Sequence, residues 1–147
     1  MTVVLVGTDL ARRMNEVYLG SAVDSNSTDV WIDSSMLLVL ATWLKDTPEL
    51  EFESLTSISA VDYIEYFEVV YHLLSMKRNQ SLVLKTRVYD RNEPTLASVI
   101  GVWRGAELQE REIWDLMGIR FEGHPNMKRI LLWEDFPGHP LRKDFVR

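Results

Sequence analysis

An α+β domain is the fold class this sequence predicts: a mixed, mainly antiparallel sheet of about four strands, packed with helices and followed by an extended C-terminal arm. Three observations predict it. Between about residues 56 and 89 apolar and polar residues alternate with the two-residue period of strands. Three other stretches repeat at helical spacing and carry helix end signals. Residues 118–147 hold three glycines and three prolines, show no sustained period, and yet keep many large apolar side chains. The natural division is therefore an α+β domain over residues 1–117 and an arm over residues 118–147.

The elements follow in order. Thr8-Asp9 caps an amphipathic helix through LARRMNEVYL, with Leu10, Met14 and Val17 on one side and Gly20 as its stop. Ser21–Asp29, rich in Ser, Asn and Asp, reads as a polar loop, and Val30-Trp31-Ile32 as a short strand. Asp33-Ser34-Ser35 caps a second helix through Lys45. That helix ends at Thr47-Pro48, because the residue before proline leaves the α region. Thr56–Tyr63, Glu65–Ser75 and Ser81–Tyr89 are strands of an antiparallel meander, beside a β-α-β start. In the second of these, Phe67, Val69, Tyr71 and Leu73 share one face; in the third, Leu82, Leu84 and Val88 point inward. Pro94 opens a short helix to about Gly101, and Trp103–Met117 is the last helix, with Gly118 placed to end it. In the arm, only Lys128–Trp133 has strand character.

Composition narrows the function. Apolar residues make up 46% of the 147, enough to bury one core, and five each of Trp, Tyr and Phe oppose disorder. The chain has no cysteine, which excludes disulfides, thiolate catalysis and iron–sulfur clusters held by its own thiolates. Net charge is −6, split as −8 over residues 1–117 and +2 over residues 118–147. The negative net charge, with no basic run longer than two residues, argues against general nucleic-acid binding, and the acidic body with its mildly basic tail points to a partner. No apolar run is long enough to span a bilayer, and no basic residues precede the N-terminal apolar run. A soluble, cytoplasmic chain without signal peptide is expected.

Candidate chemistry is sparse. Gly-His-Pro occurs twice, at 123–125 and 138–140, and its two histidines suggest a metal site or a catalytic pair. The spacing is neither HxxxH nor HxH, so the favoured reading is structural: glycine turns, proline stiffens, and histidine bonds to backbone or a carboxylate. On the last helix Glu110 falls on the apolar side. A buried carboxylate there suits a general acid, but Arg104, Arg111 and the arm's cations are available to pair with it, and pairing is expected. Leu108, Arg111, Glu112 and Asp115 fall on the opposite, outer side, and Glu107 and Arg111 make a favourable i,i+4 pair. His72 is expected to be a structural histidine with a hydrogen-bond partner, and Trp31, Trp43 and Trp103 to be packing residues. No GxSxG, phosphate loop or GxGxxG is present. The arm's apolar side chains need a surface, and Arg120, Lys128, Arg129, Arg142 and Lys143 suit the carboxylates of a partner.

The segments ELQEREIWDLMGIRFEGHP (107–125) and LWEDFPGHPLRKDF (132–145) resemble the 30-kilodalton subunit of respiratory complex I, NADH:quinone oxidoreductase, also called its C subunit. The pattern is carried by Glu110, Arg111, Glu112, Asp115, Gly118, Phe121, Gly123, His124, Pro125, and then Gly138, His139, Pro140, Leu141, Arg142 and Lys143. The resemblance covers roughly residues 30–147; Trp133 stands where the pattern expects proline.

The resemblance implies a non-catalytic structural and assembly subunit of the peripheral arm of a proton-translocating complex, with no activity of its own. Such a subunit braces the large quinone-site (49-kilodalton-type) subunit and the small subunit with the terminal iron–sulfur cluster. It implies that those fifteen pattern residues anchor the arm or meet partners. It further implies that FMN, iron–sulfur clusters and quinone belong to other subunits, this chain binding no cofactor, and that attachment to the cytoplasmic face of the inner membrane is indirect. Two alternatives stay open: the equivalent subunit of a membrane-bound hydrogenase or of a quinone reductase fed by another donor, and a free-standing hydrolase using Glu110 or His124 and His139.

Overall fold

The computed structural model describes residues 2–146. Its core is a six-stranded sheet. Strand β1 (Val3–Val4) leads into α1 (Gly7–Val17), then β2 (Ala22–Ser25) and β3 (Asp29–Ile32). A 3₁₀ turn (Ser34–Met36) opens α2 (Leu37–Asp46), and the long strands β4 (Ser54–Asp62), β5 (Phe67–Ser75) and β6 (Gln80–Val88) follow. The order is β2-β3-β6-β5-β4. Strands β3 and β1 both run parallel to β6, and the other pairs are antiparallel. A separate parallel pair joins β7 (Thr95–Ala97) to β8 (Arg120–Glu122), with α3 (Ala106–Met117) between them in sequence. The fold is α+β, with more strands than the four expected.

Local chemistry explains the elements. Asp33 accepts from both the backbone N–H and the hydroxyl of Ser35 and so opens the turn into α2. Thr47, held extended ahead of Pro48, closes that helix. Alternation in the meander holds: Phe67, Val69, Tyr71 and Leu73 of β5, with Leu82, Leu84 and Val88 of β6, are buried in one core with Leu40, Leu44, Phe52 and Phe121. Trp103 lies in that core and donates its indole N–H to the Phe52 carbonyl, 2.8 Å. Trp31 sits on the other sheet face, donating to Glu68 at 2.6 Å. His72, expected as a structural histidine with a hydrogen-bond partner, is exposed on that face.

Three expectations are corrected. The polar run 21–29 contains β2: Asn15 from α1 accepts from the Ala22 N–H and donates to its carbonyl, so a polar strand is tolerated at this edge. The stretch after Pro94 is not helix but β7, whose partner β8 lies more than twenty residues further on. Lys128–Trp133 is not a strand; its amides are claimed by a side chain of α3. The opposite sheet edge is closed in a similar way. Gln109 of α3 accepts from the Ile58 N–H of β4 at 2.6 Å, which sets the helix beside the strand.

Candidate functional site

The site is built on α3, which carries buried groups on two sides. Ala106, Glu110, Ile113 and Met117 face the core. Glu110 is fully buried, and its carboxylate accepts from the Ser98 hydroxyl at 2.5 Å and from the Val99 N–H at 2.9 Å. Among the described residues Glu110 forms no ion pair, so the expected pairing with a cation is not found there. Burial raises its pKa, against the lowering by its bonds from Ser98 and Val99. These bonds tie α3 to the loop after β7.

Asp115 lies on the side expected to face outward, the side of exposed Leu108, and is nonetheless fully buried. The arm covers it. Its Oδ2 accepts three successive amides, Ile130 (3.1 Å), Leu131 (2.7 Å) and Leu132 (2.9 Å), and its Oδ1 takes the Arg129 guanidinium at 2.8 Å. Three consecutive N–H groups around one oxygen form an anion nest, and a carboxylate fills it. Arg129 then reaches across the arm to the carbonyls of Phe136 (3.0 Å) and Gly138 (2.8 Å). Arg111 turns to the arm instead of to Glu107, donating to the carbonyls of Lys128 and Arg129 at 3.1 and 3.0 Å.

The two Gly-His-Pro copies have one purpose each. His124 donates Nε2–H to the Glu107 carbonyl and accepts the Asn126 N–H at Nδ1, both at 2.9 Å, so both ring nitrogens are used. His139 donates Nδ1–H to the Asp115 carbonyl at 2.9 Å and packs on Trp114, ring centres 5.0 Å apart. Glu107 and Asp115 are eight residues apart on one helix, a rise of about 12 Å, so the rings staple opposite ends of α3 and do not form a catalytic pair. Among the described residues no cluster of three or more His, Cys, Asp or Glu could hold a metal.

A helix end leaves carbonyls without partners, and here the arm supplies them. Gly118 N–H bonds the Trp114 carbonyl at 2.9 Å, His139 and Arg129 take that of Asp115, and the Leu141 N–H takes that of Leu116 at 2.9 Å. Gly118 has φ +76°, and a Cβ there would lie 2.7 Å from the His139 ring, so both backbone and neighbour require glycine. Gly123 and Gly138 also have positive φ, 89° and 95°, which gives the repeated tripeptide its first residue. Pro125 is exposed at the first turn, Pro140 half-buried at the second, and Phe121 buried on β8 within the core.

The arm's far end is clasped at a second carboxylate. Asp62, buried where β4 ends, receives both ends of the Arg91 guanidinium (2.7 and 2.9 Å) and the Ile64 and Lys143 amides (2.8 Å each). Arg142 donates to Asp144 at 2.9 Å and to the Arg91 carbonyl at 2.6 Å. Both guanidiniums lie over the Phe67 ring, at 4.6 and 5.0 Å. Arg129 and Arg142, expected to serve partner carboxylates, are thus engaged within the chain. The side chains of Glu112, Arg120, Lys128 and Lys143 remain exposed. So does an apolar row along the arm: Ile130 (37% exposed), Leu131 (60%), Trp133 (66%), Leu141 (59%) and Val146 (86%).

No motif marks the Asp62–Arg91 clasp in the sequence. Its one local sign is parity: Asp62 follows Ile58 and Ala60 on the inward side of β4, where a carboxylate needs a partner. The electrostatics give a pH prediction. Arg91, against the opposing effect of burial and with the Lys143 and Ile64 amides, holds Asp62 far below the usual carboxylate range. Burial would raise Asp115, but the amides of 130–132 and Arg129 outweigh it and its pKa is lowered. Groups depressed on folding contribute stability above the ordinary carboxylate range and lose it as pH falls through that range toward their folded values. Melting temperature is expected to fall steadily below about pH 5. Asp62→Asn should reduce that slope in thermal melts across the acid range.

Residues 30–147 match the family described as "Respiratory-chain NADH dehydrogenase, 30 Kd subunit". The NADH-quinone oxidoreductase C subunit of Roseiflexus sp. (strain RS-1) is 41% identical over 138 residues, covering 92% of this chain and 79% of that one. A protein of Sulfurihydrogenibium sp. (strain YO3AOP1), named as the C/D subunit of NADH-quinone oxidoreductase, is 39% identical over 120 residues, 79% of this chain and 20% of that one. Among solved structures, one chain of the membrane-bound sulfane sulfur reductase, an archaeal respiratory membrane complex, superposes with a TM-score of 0.77 at 24% identity. The match covers 95% of this chain and 85% of that one, a likeness of fold.

Proposed function

Because the chain belongs to the family of the 30-kilodalton subunit of respiratory-chain NADH dehydrogenase, the C subunit of NADH-quinone oxidoreductase, we propose that it is the brace of that complex's peripheral arm. In this reading it joins the large quinone-site subunit to the small subunit with the terminal iron–sulfur cluster and catalyses nothing itself. FMN, the iron–sulfur clusters and quinone are held by other subunits. Electron transfer from a cluster to quinone needs two subunits kept rigidly in register, and a third chain across their seam provides that. The protein attaches to the cytoplasmic face of the membrane through its partners. No helix among the described residues is long and apolar enough to cross a membrane.

One observation carries the proposal. The arm directs its polar groups inward, to Asp115, Asp62 and the end of α3, and leaves the row Ile130, Leu131, Trp133 and Leu141 facing out. Large apolar side chains held out to solvent on an ordered segment mark a protein contact. The relative whose name joins C and D, of which this chain spans 20%, supports a large neighbour for this family. The test is to tag the protein, purify it from its native membrane and identify what accompanies it, which also reveals the electron donor. Leu131→Asp with Trp133→Asp is expected to abolish co-purification while leaving the melting temperature of the isolated chain within about 2 °C, since exposed substitutions cost little. Full recovery of the partners by that double variant would refute the assignment of the ridge.

A further inference from the structure

We infer that the arm is fixed on its own domain before any partner arrives, so that the large neighbouring subunit, the one that the relative named C/D joins to this chain's family, meets a finished ridge and docks on it as a rigid body. This rests on the reading of the ridge as the docking surface and says how that surface comes to exist. Long irregular segments are usually either functional loops or disordered until bound. Here the structure accounts for the arm's order internally. Ile130, Leu131 and Leu132 give their amides to the buried carboxylate of Asp115, Leu141 gives its amide to the last turn of α3, and Lys143 gives its amide to the buried carboxylate of Asp62. These anchors span residues 130–143 and reach two separate elements, α3 and β4. Between them the arm packs on itself. Phe136 and Phe145 stack with ring centres 6.1 Å apart, Trp133 meets Phe136 edge-on at 4.9 Å, and Arg129 crosses to the Phe136 and Gly138 carbonyls.

The inward groups also have no use for a partner. Asp115 is closed to solvent and its acceptors are filled; it could not serve a neighbouring chain without first releasing the arm. The outward groups are the reverse: Leu131 and Trp133 bury little against their own domain. A segment that folded on its partner would distribute both kinds of contact to that partner. In this one the backbone amides of 130–132, 141 and 143 are already committed to the domain, while Leu131 and Trp133 stay free.

Amide hydrogen exchange on the purified full-length chain, alone in solution, tests the inference. The amides of Leu131, Leu132 and Leu141 are expected to exchange at least about 100-fold more slowly than unstructured chain. Those of Glu134 and Asp135, exposed in the same arm, serve as the fast reference. Asp115→Asn should return residues 130–132 toward the unprotected rate. Should that variant not fold, Arg129→Gln, a change on the arm itself, is expected to speed exchange there at least about tenfold while leaving β5 and β6 protected. Unprotected exchange at residues 130–132 in the natural sequence overturns the inference. That failure is distinct from failure of the ridge: a protected arm whose Leu131→Asp, Trp133→Asp variant still captures partners sinks the docking reading alone. An unprotected arm whose variant loses its partners sinks only the pre-ordering.

Discussion

Glu110→Ala is expected to destabilise the domain by about 3–5 kcal/mol, roughly 10 °C in melting temperature for a chain of this size. Two costs add. The truncation opens a cavity at a fully buried position between α3 and the sheet, and it strips the Ser98 hydroxyl and the Val99 N–H of their shared acceptor. An orphaned buried donor is penalised in full, whereas the net gain from making such a bond is small. Glu110→Gln separates the two. Its amide oxygen can take the Val99 N–H and its NH₂ can donate to Ser98, so the loss should stay within about 1 kcal/mol at neutral pH. The sign of the pH effect is opposite to that of Asp62. Burial raises the Glu110 pKa, so its contribution is full below the ordinary carboxylate range and lost as pH rises through the folded value. The Gln variant does not titrate, and its stability relative to the natural sequence should improve from about pH 4 toward about pH 8. Denaturant titrations across that range measure it; a flat difference would show that Glu110 is not strained by its charge.

Asp62→Ala is expected to cost about 3 kcal/mol and to free the end of the arm. Its carboxylate satisfies four donors at once: two nitrogens of Arg91 and the amides of Ile64 and Lys143. Among the described residues, removal leaves Arg91 with Asp144 as its carboxylate partner, at 3.2 Å and half exposed, beside the Phe67 ring. The contrast with Asp144→Ala is informative. A carboxylate half open to water is largely screened, so that change should cost about 1 kcal/mol or less in the same urea titration, well below the loss from Asp62. Equal losses from the two would mean that the clasp is held by Arg142 and the Phe67 ring and not by the buried carboxylate.

Much of the fold is legible in the sequence because it follows from local pattern. Strand β5 declares itself through the parity of Phe67, Val69, Tyr71 and Leu73, and α2 through its Asp33 cap and the Thr47-Pro48 stop. Elements whose order comes from elsewhere are not legible. The polar strand β2 depends on Asn15 from a helix, and three-residue β7 depends on β8 across the intervening α3. The candidate site divides in the same way. Motif singles out Glu110, Arg111, Asp115, His124, His139 and Gly118, and all six lie at the junction of α3 with its surroundings. Helical phase puts Asp115 outside, because phase knows nothing of a segment fifteen residues later that comes back to cover it. Asp62, Arg91 and Ser98 escape a reading of the sequence for the same reason: each matters through a partner distant in the chain.

What the chain's own order of residues determined is the strongly periodic elements and their breakers: the long strands of the meander, the three helices, and a tail rich in apolar side chains after the last helix. The Thr8-Asp9 cap expected for α1 is not formed, since that helix starts at Gly7 without a side-chain cap. Tertiary structure alone decided which way that tail faces. A buried carboxylate requires donors from whatever backbone is near, and Asp115 and Asp62 found theirs in the arm. Once its amides were committed inward, the tail's geometry left Leu131 and Trp133 no place but the surface.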